Sequence, residues 1–226
     1  MIAEPRTIAR ICEIFHIPFQ HSIEQLRDVY LKVSSSCGYD NFIRQPGGAR
    51  LESAAGEGGG GVSRVTFGKD RMSFAEENAD TSLENFRRRL EAVVEVAAET
   101  LSIPVLVARN ITQRAVVAAP GGKPASNFLA ENFFQLGGGQ MEPFGRPTQI
   151  TGMRLQFPPP DPRAGIHQVQ IGSYARDPRA LYIEDVATFK VPVQSLDQSQ
   201  ITKELEEVDG FVGDQVSTFL NGLNRE

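Results

Sequence analysis

Chemistry in this chain would have to come from three histidines, two cysteines or a few paired carboxylates. His16 lies in a strand-like run, His21 stands just before a helix cap, and His167 falls in an alternating segment. A zinc or related site needs several His, Cys or carboxylate ligands converging on one point, and near neighbours in sequence usually supply two of them. None of the three has a second ligand at helical or hairpin spacing, so each reads as structural. Cys12 and His16 share a strand face but stand roughly 13 Å apart along it, too far for a nucleophile and its base. Cys12 and Cys37 themselves read as two reduced thiols, Cys12 buried as a small hydrophobe. The acids Glu76-Glu77 and Glu184-Asp185 are consecutive strand residues, so each pair splits between opposite faces. That geometry suits neither a shared proton nor a metal, and strand-end acids of this kind are expected in solvent. Catalytic residues, metal and cofactor are therefore all predicted to be none, and the balance of the sequence leans away from an enzyme.

Two other stretches invite ligand chemistry. Gly56–Gly61, "GEGGGG", is glycine-rich, but a phosphate cradle needs a strand before it, a helix after it and a lysine at the helix start. Here a strand follows, and a hairpin loop is the expectation. Arg87-Arg88-Arg89 is the one basic cluster. Phe86 and Leu90 flank it on an apolar helix stripe, so the arginines are expected to fan over the outer surface and pair with Glu84 and Glu91.

Composition narrows the class further. With 40% hydrophobic and 23% charged residues in 226, the chain can bury a core. A net charge of −5 disfavours a wholesale electrostatic grip on nucleic acid or an anionic membrane. No apolar run is long enough to span a bilayer, and Glu4, Arg6, Arg10 and Glu13 interrupt the N-terminal segment. A cytoplasmic location is the expectation.

The elements that would position these residues follow from periodicity. A strand is predicted over Arg10–Phe19. A helix follows from the Ser22/Gln25 capping box to Gly38. Next come a ragged strand bent at Pro46-Gly47-Gly48, an alternating strand around Val65 and Phe67, and a turn at Lys69-Asp70 into "RMSFAEE". Thr81 and Glu84 open a long helix whose stripe is Leu83, Phe86, Leu90, Val93, Val94, Ala97 and Leu101. The second half replays the order: a long strand over Val105–Ala119, a short helix with Phe128, Leu129 and Phe133, two alternating strands, a hairpin bend at Asp177-Pro178, a last strand and a closing helix over Ser199–Leu223. Gly210 and Gly213 weaken that helix, which suggests that something approaches closely there. The prediction is an α+β fold, a tandem repeat of strand–helix–three strands–helix forming a curved antiparallel sheet with two long helices on one face. The halves are 1–103 and 104–226, joined as one continuous pseudo-symmetric domain.

This order resembles the tandem-repeat saddle of TATA-box-binding-protein-like folds. The phrases "TGMRLQFPP" (Thr151–Pro159), "HQVQIGSYARDPRALYIED" (His167–Asp185), "VARN" before Ile111 and the closing helix resemble an uncharacterised, sporadically distributed prokaryotic family. The middle strand departs from that pattern in lacking a tyrosine after Arg109. The resemblance implies the saddle fold and supplies no catalytic residues.

Alternation then assigns faces. Val65, Phe67, Met153, Leu155, Phe157, Val169 and Ile171 should meet the helices. Arg64, Thr66, Arg154, Gln156, Gln168, Gln170, Tyr174, Tyr182, Glu184, Thr188 and Lys190 should line the free face. The candidate binding residues on it are Arg64, Arg109, Asn110, Arg154, Gln156, Gln168, Gln170, Tyr174 and Tyr182. An ordinary solvated sheet face would look much the same. Three functions stay open: a non-enzymatic interaction protein that binds a protein partner or a second copy; a nucleic-acid-binding module; and a small-ligand protein or enzyme with a site between the halves built on Arg109, Asn110, Arg154 and Tyr182.

Overall fold

The computed structural model describes residues 4–53, 61–77, 82–103, 105–134, 145, 152–162, 164–190 and 198–223. Nine strands form one sheet: β1 (Arg6–His16), β2 (Asn41–Gln45), β3 (Gly48–Glu52), β4 (Val62–Phe67), β5 (Arg71–Glu77), β6 (Leu106–Ala118), β7 (Gly152–Phe157), β8 (Ile166–Tyr174) and β9 (Asp177–Phe189). Their order is β2-β3-β4-β5-β1-β6-β9-β8-β7, and every neighbouring pair is antiparallel. The helices are α1 (Ile23–Cys37), α2 (Leu83–Leu101), the short α3 (Ala125–Leu129), and a C-terminal helix. That last helix runs as α4 (Gln198–Gly210), a π-helical stretch (Phe211–Val216) and α5 (Ser217–Leu223). The α+β class and the antiparallel sheet agree with the sequence.

Register puts the helices on one side of the sheet. Phe42, Leu51, Val65, Phe74, Cys12, Ile111, Ala187, His167 and Phe157 are successive cross-strand partners, so this single row crosses all nine strands and faces one way. Most of it is buried: Leu51, Val65, Phe74, Cys12, Ile111 and Ala187 are at most 2% exposed. The stripe of α2 lies on it, and Phe74 meets Phe86 edge-on at 5.0 Å. A second apolar cluster joins α3 and the π/α5 segment to β6, β8 and β9, through Leu129, Val169, Ile171, Ile183, Val212 and Leu220. Full burial of each large apolar side chain contributes roughly 1.5–3 kcal/mol, so a one-residue slip of any central strand would turn its share of this row to water.

Several boundaries differ from expectation. The ragged strand is a hairpin, β2–β3, because Gly47 adopts a left-handed φ of 79° and closes a two-residue turn after Gln45. A Cβ on Gly48 would stand 1.7 Å from the Phe67 carbonyl oxygen, so the backbones approach too closely for any side chain there. The first half therefore supplies four strands between its helices rather than three. α2 is capped by Ser82, whose hydroxyl accepts from the Asn85 amide; Thr81 lies outside the described residues. The Ser22/Gln25 capping box of α1 forms as expected, with Gly38 left-handed at its end. The last hairpin bends at Ala175-Arg176, since Tyr174 pairs with Asp177. β1 starts at Arg6 and stops at His16, ahead of Pro18. The Ala54–Gly60 part of the glycine run lies outside the described residues.

The two glycines of the C-terminal helix do not mark a close approach. A Cβ on Gly213 would meet nothing within 4 Å, and one on Gly210 only Asp214 Oδ2 at 4.0 Å. They flank and enter the stretch where the helix widens to π geometry. Gly213 lacks a positive φ, so Gly213→Ala is expected to raise stability by about 0.5–1 kcal/mol, read as a higher urea midpoint at unchanged slope. An unchanged or lower midpoint would show that the π turn needs the glycine backbone.

Candidate functional site

The helix-free face carries most of the sequence-predicted binding residues. Arg154, Gln156, Gln168, Gln170, Tyr174 and Tyr182 occupy the adjacent strands β7, β8 and β9 and form one contiguous area. Arg154 donates to Gln170 Oε1 at 3.1 Å. Tyr174 and Tyr182 stack with centroids 6.3 Å apart and planes 6° from parallel. Tyr182 donates to Glu184 at 2.9 Å, and Arg114 donates to the same carboxylate oxygen at 2.7 Å. Burial, then the Glu184 bond, pushes the Tyr182 phenol up to about 12, so it stays a donor. Asn110 faces the same side from β6, opposite Thr188 and Glu13. Arg64 lies on β4, four strands from β9, or about 19 Å at ordinary strand spacing. It sits between Glu52 at 3.8 Å and Glu77 at 3.9 Å.

Arg109 is a correction. It is on the other face, 1% exposed beneath α4, where Nε and Nη2 grip both oxygens of Glu204 at 2.6 and 2.5 Å. Alternation explains it: in β6 the inward set is Arg109, Ile111, Gln113, Ala115 and Val117, and an arginine in that set needs a buried acid. The proposed site joining Arg109, Asn110, Arg154 and Tyr182 is therefore not assembled, because Arg109 is separated from the other three by the sheet itself.

The helix-free face is not uniformly hydrophilic. One cross-strand row reads Gln156, Gln168, Val186, Thr112, Ile11, Ala75, Arg64 and Glu52. The next reads Arg154, Gln170, Glu184, Arg114, Ala9 and Glu77. Val186, Ile11, Ala75 and Ala9 thus make a small apolar patch across β9, β1 and β5, interleaved with polar groups on the central strands themselves: Thr112, Arg114 and Asn110 on β6, Glu13 on β1 and Glu77 on β5. The arginines of this face are mostly neutralised in place: Arg50 by Glu52 at 2.9 Å, Arg71 by Glu13 at 3.5 Å, Arg114 by Glu184.

Under the helices runs a polar seam that sequence reasoning missed. α4 supplies Glu204 to Arg109 on β6, Asp209 to Arg10 on β1 at 2.6 Å, and Glu207 to His167 on β8 at 3.3 Å. His167 Nδ1 meets Asp185 Oδ2 at 2.7 Å, and its ring lies flat on Phe211, 4.0 Å between centroids. Burial opposes the imidazolium, but the bonds and charges of Asp185 and Glu207 outweigh it and hold the His167 pKa above the ordinary range. Both ring nitrogens are engaged by carboxylates, so this cluster holds a proton in place and leaves no free nitrogen to serve as a base toward a substrate. Two acids expected in solvent are buried instead: Asp185 at 0% exposure and Glu76 at 2%, the latter paired with Arg89 at 3.0 Å. Arg89 therefore turns inward, whereas Arg87 pairs with Glu84 on the surface as expected. The legible signal was a polar residue in an apolar period: Asp185 among Leu181, Ile183, Ala187 and Phe189, and Glu204 three residues after Ile201.

The remaining candidates are inert. Cys12 is 1% exposed, and burial, with Glu204 nearby, pushes its thiol up to about 12. His16, Phe19 and His21 pack as an aromatic group. Among the described residues, no helix is long and apolar enough to cross a membrane. No protein-family model matches the chain, and no curated protein aligns with it significantly.

Proposed function

We propose that this is a non-enzymatic binding protein that takes a protein partner, or a second copy of itself, on the helix-free face of its sheet. The observation that carries this is the layout of that face: a small apolar patch of Ile11, Ala75, Ala9 and Val186, with glutamines, stacked tyrosines and internally paired ions beside and between them. An apolar patch bordered by polar groups that already have partners is a pattern suited to a protein–protein contact. Stacked tyrosines add rigid contact area with a hydrogen-bonding tip. A nucleic-acid reading is weaker on the same face, because Arg50, Arg64, Arg71 and Arg114 already neutralise carboxylates and would have to be released to neutralise phosphates.

The tandem repeat and the saddle belong to this proposal too. In each half the first strand, β1 or β6, lies at the centre, and the last, β5 or β9, lies beside it. β1 and β6 pair with each other from Arg6 to His16, which supports two similar halves, 1–103 and 104–226, joined edge to edge. One antiparallel sheet shared by two halves is what the resemblance to TATA-box-binding-protein-like folds implies.

Light scattering across a concentration series, with crosslinking at the highest concentration, tests the binding face. Wild type is expected to self-associate or to retain a protein that Val186→Lys does not. A wild type that stays monomeric and behaves identically to Val186→Lys toward every protein offered would end the proposal. A salt-dependent shift of duplex or single-stranded nucleic acid, abolished by Arg64→Ala, would replace it with the nucleic-acid reading.

A further inference from the structure

On the helix side, away from the proposed binding face, a cavity of about 480 Å³ opens between the edge strands β7–β8 and the π-helical stretch. Phe157, Phe211 and Phe219 supply rings, Ile171 and Leu155 supply aliphatic wall, and the exposed Gln215 stands at its mouth. Among the described residues its lining contains no charged side chain. Contacts within the protein brace the walls. Phe211 is stacked on His167 at 4.0 Å and meets Phe157 edge-on at 5.4 Å, and Ile171 is 1% exposed in the core. Phe219 leans on Phe133 at 5.6 Å. The helix wall is the segment that widens to π geometry, a distortion that is uncommon and concentrates at functional sites.

We infer that this cavity is a binding site for an uncharged, largely apolar small molecule, most suitably one with a flat ring. Three observations converge on that class. The volume lies in the range of pockets that enclose drug-sized ligands. Rings on several sides favour an aromatic guest, whose faces and edges they can meet in offset or edge-on geometry. An ionic guest would leave water without a counter-charge among the described lining residues. Gln215 can give and accept a hydrogen bond at the mouth, which orients a guest carrying one amide, amine or carbonyl at its outer end.

The chain has no tryptophan, so Phe219→Trp creates a single fluorescent reporter in the cavity wall. The probe is N-phenyl-1-naphthylamine, which is neutral, with sodium octanoate as the charged comparator. Saturable one-to-one binding in the micromolar range is expected, with energy transfer from the reporter in F219W. Leu155→Glu should weaken binding at least tenfold while leaving the far-UV spectrum and urea midpoint near those of wild type. In long-range nitrogen–proton spectra, where only three histidines appear, the His167 signal should move through its contact with Phe211 while His16 and His21 stay put. Absence of saturation, or binding that neither Leu155→Glu nor the His167 signal registers, would overturn the site. Octanoate binding as tight as that of the naphthylamine would overturn the uncharged class. Should Leu155→Glu unfold, Gln215→Trp, which fills the mouth from an exposed helix position, replaces it with the same expected loss. None of these readouts depends on the opposite face, so the two proposals stand or fall separately.

Discussion

Arg109→Ala is expected to destabilise the protein by about 3–5 kcal/mol, the range for breaking a buried ion pair and leaving one charge uncompensated. The guanidinium is 1% exposed, and both Glu204 oxygens are bound to it. Removal leaves a carboxylate beneath α4, facing Cys12 and the apolar row. Glu204→Leu alone should cost a similar amount, for the mirror reason. The double replacement Arg109→Met with Glu204→Leu should regain most of the loss, because two fitted apolar side chains avoid the desolvation that the pair must overcome. Urea denaturation of the four proteins, read as a double-mutant cycle, checks this. Single variants that cost less than about 1 kcal/mol, the worth of an exposed pair, would mean that water reaches the site and that α4 is not seated as described.

His167→Leu should be comparably severe, since it strands Asp185, which is fully buried, and takes away the ring under Phe211. This cluster also gives stability a pH dependence whose sign is fixed by the raised pKa of His167. A histidine held above its unfolded value stabilises fully below the unfolded pKa, and that contribution is lost as pH rises through the folded one. Each unit of elevation corresponds to about 1.4 kcal/mol. Wild type should therefore lose stability from near neutrality upward into the alkaline side. Asp185→Asn, which keeps a hydrogen-bonding group and removes the nearer charge, should flatten that slope. Burial also pushes the Asp185 carboxyl up, against the pull of the imidazolium. Its cost grows as pH rises from the ordinary carboxylate range, in a lower window than that of His167. His21 has its pKa lowered, mainly by burial, so it contributes the opposite slope below neutrality and is common to both proteins. Thermal melts of wild type and Asp185→Asn across this range decide the matter. A wild-type profile that rises with pH above neutrality, or is unchanged by Asp185→Asn, contradicts the cluster.

The free face was legible only in part. Outer strands such as β7 and β8 alternate cleanly, so Arg154, Gln156, Gln168 and Gln170 could be assigned to one side from spacing alone. The central strands alternate poorly, because neighbours on both flanks shield even their helix-free side. Ala9, Ala75 and Val116 are each at most 8% exposed there, although none of the described helices packs on that side. A list drawn from polar residues therefore passed over Ile11, Ala75 and Val186 among them. Arg109 was misplaced for the converse reason: charge suggested solvent, whereas its position in the period suggested burial.

The sequence by itself determined the α+β class, the long amphipathic helices, the Ser22 and Gly38 caps and the pairing of strands with turns. These depend on side-chain periodicity and on local backbone preferences, which a few consecutive residues carry. Only the tertiary structure decided that β1 and β6 lie side by side, that Glu204, Glu207 and Asp209 descend onto Arg109, His167 and Arg10, and that Phe157, Phe211 and Phe219 enclose a cavity. Those meetings join residues up to 199 positions apart. No local pattern encodes such a pair, because what selects it is the shared cost of leaving either charge or either apolar surface without the other.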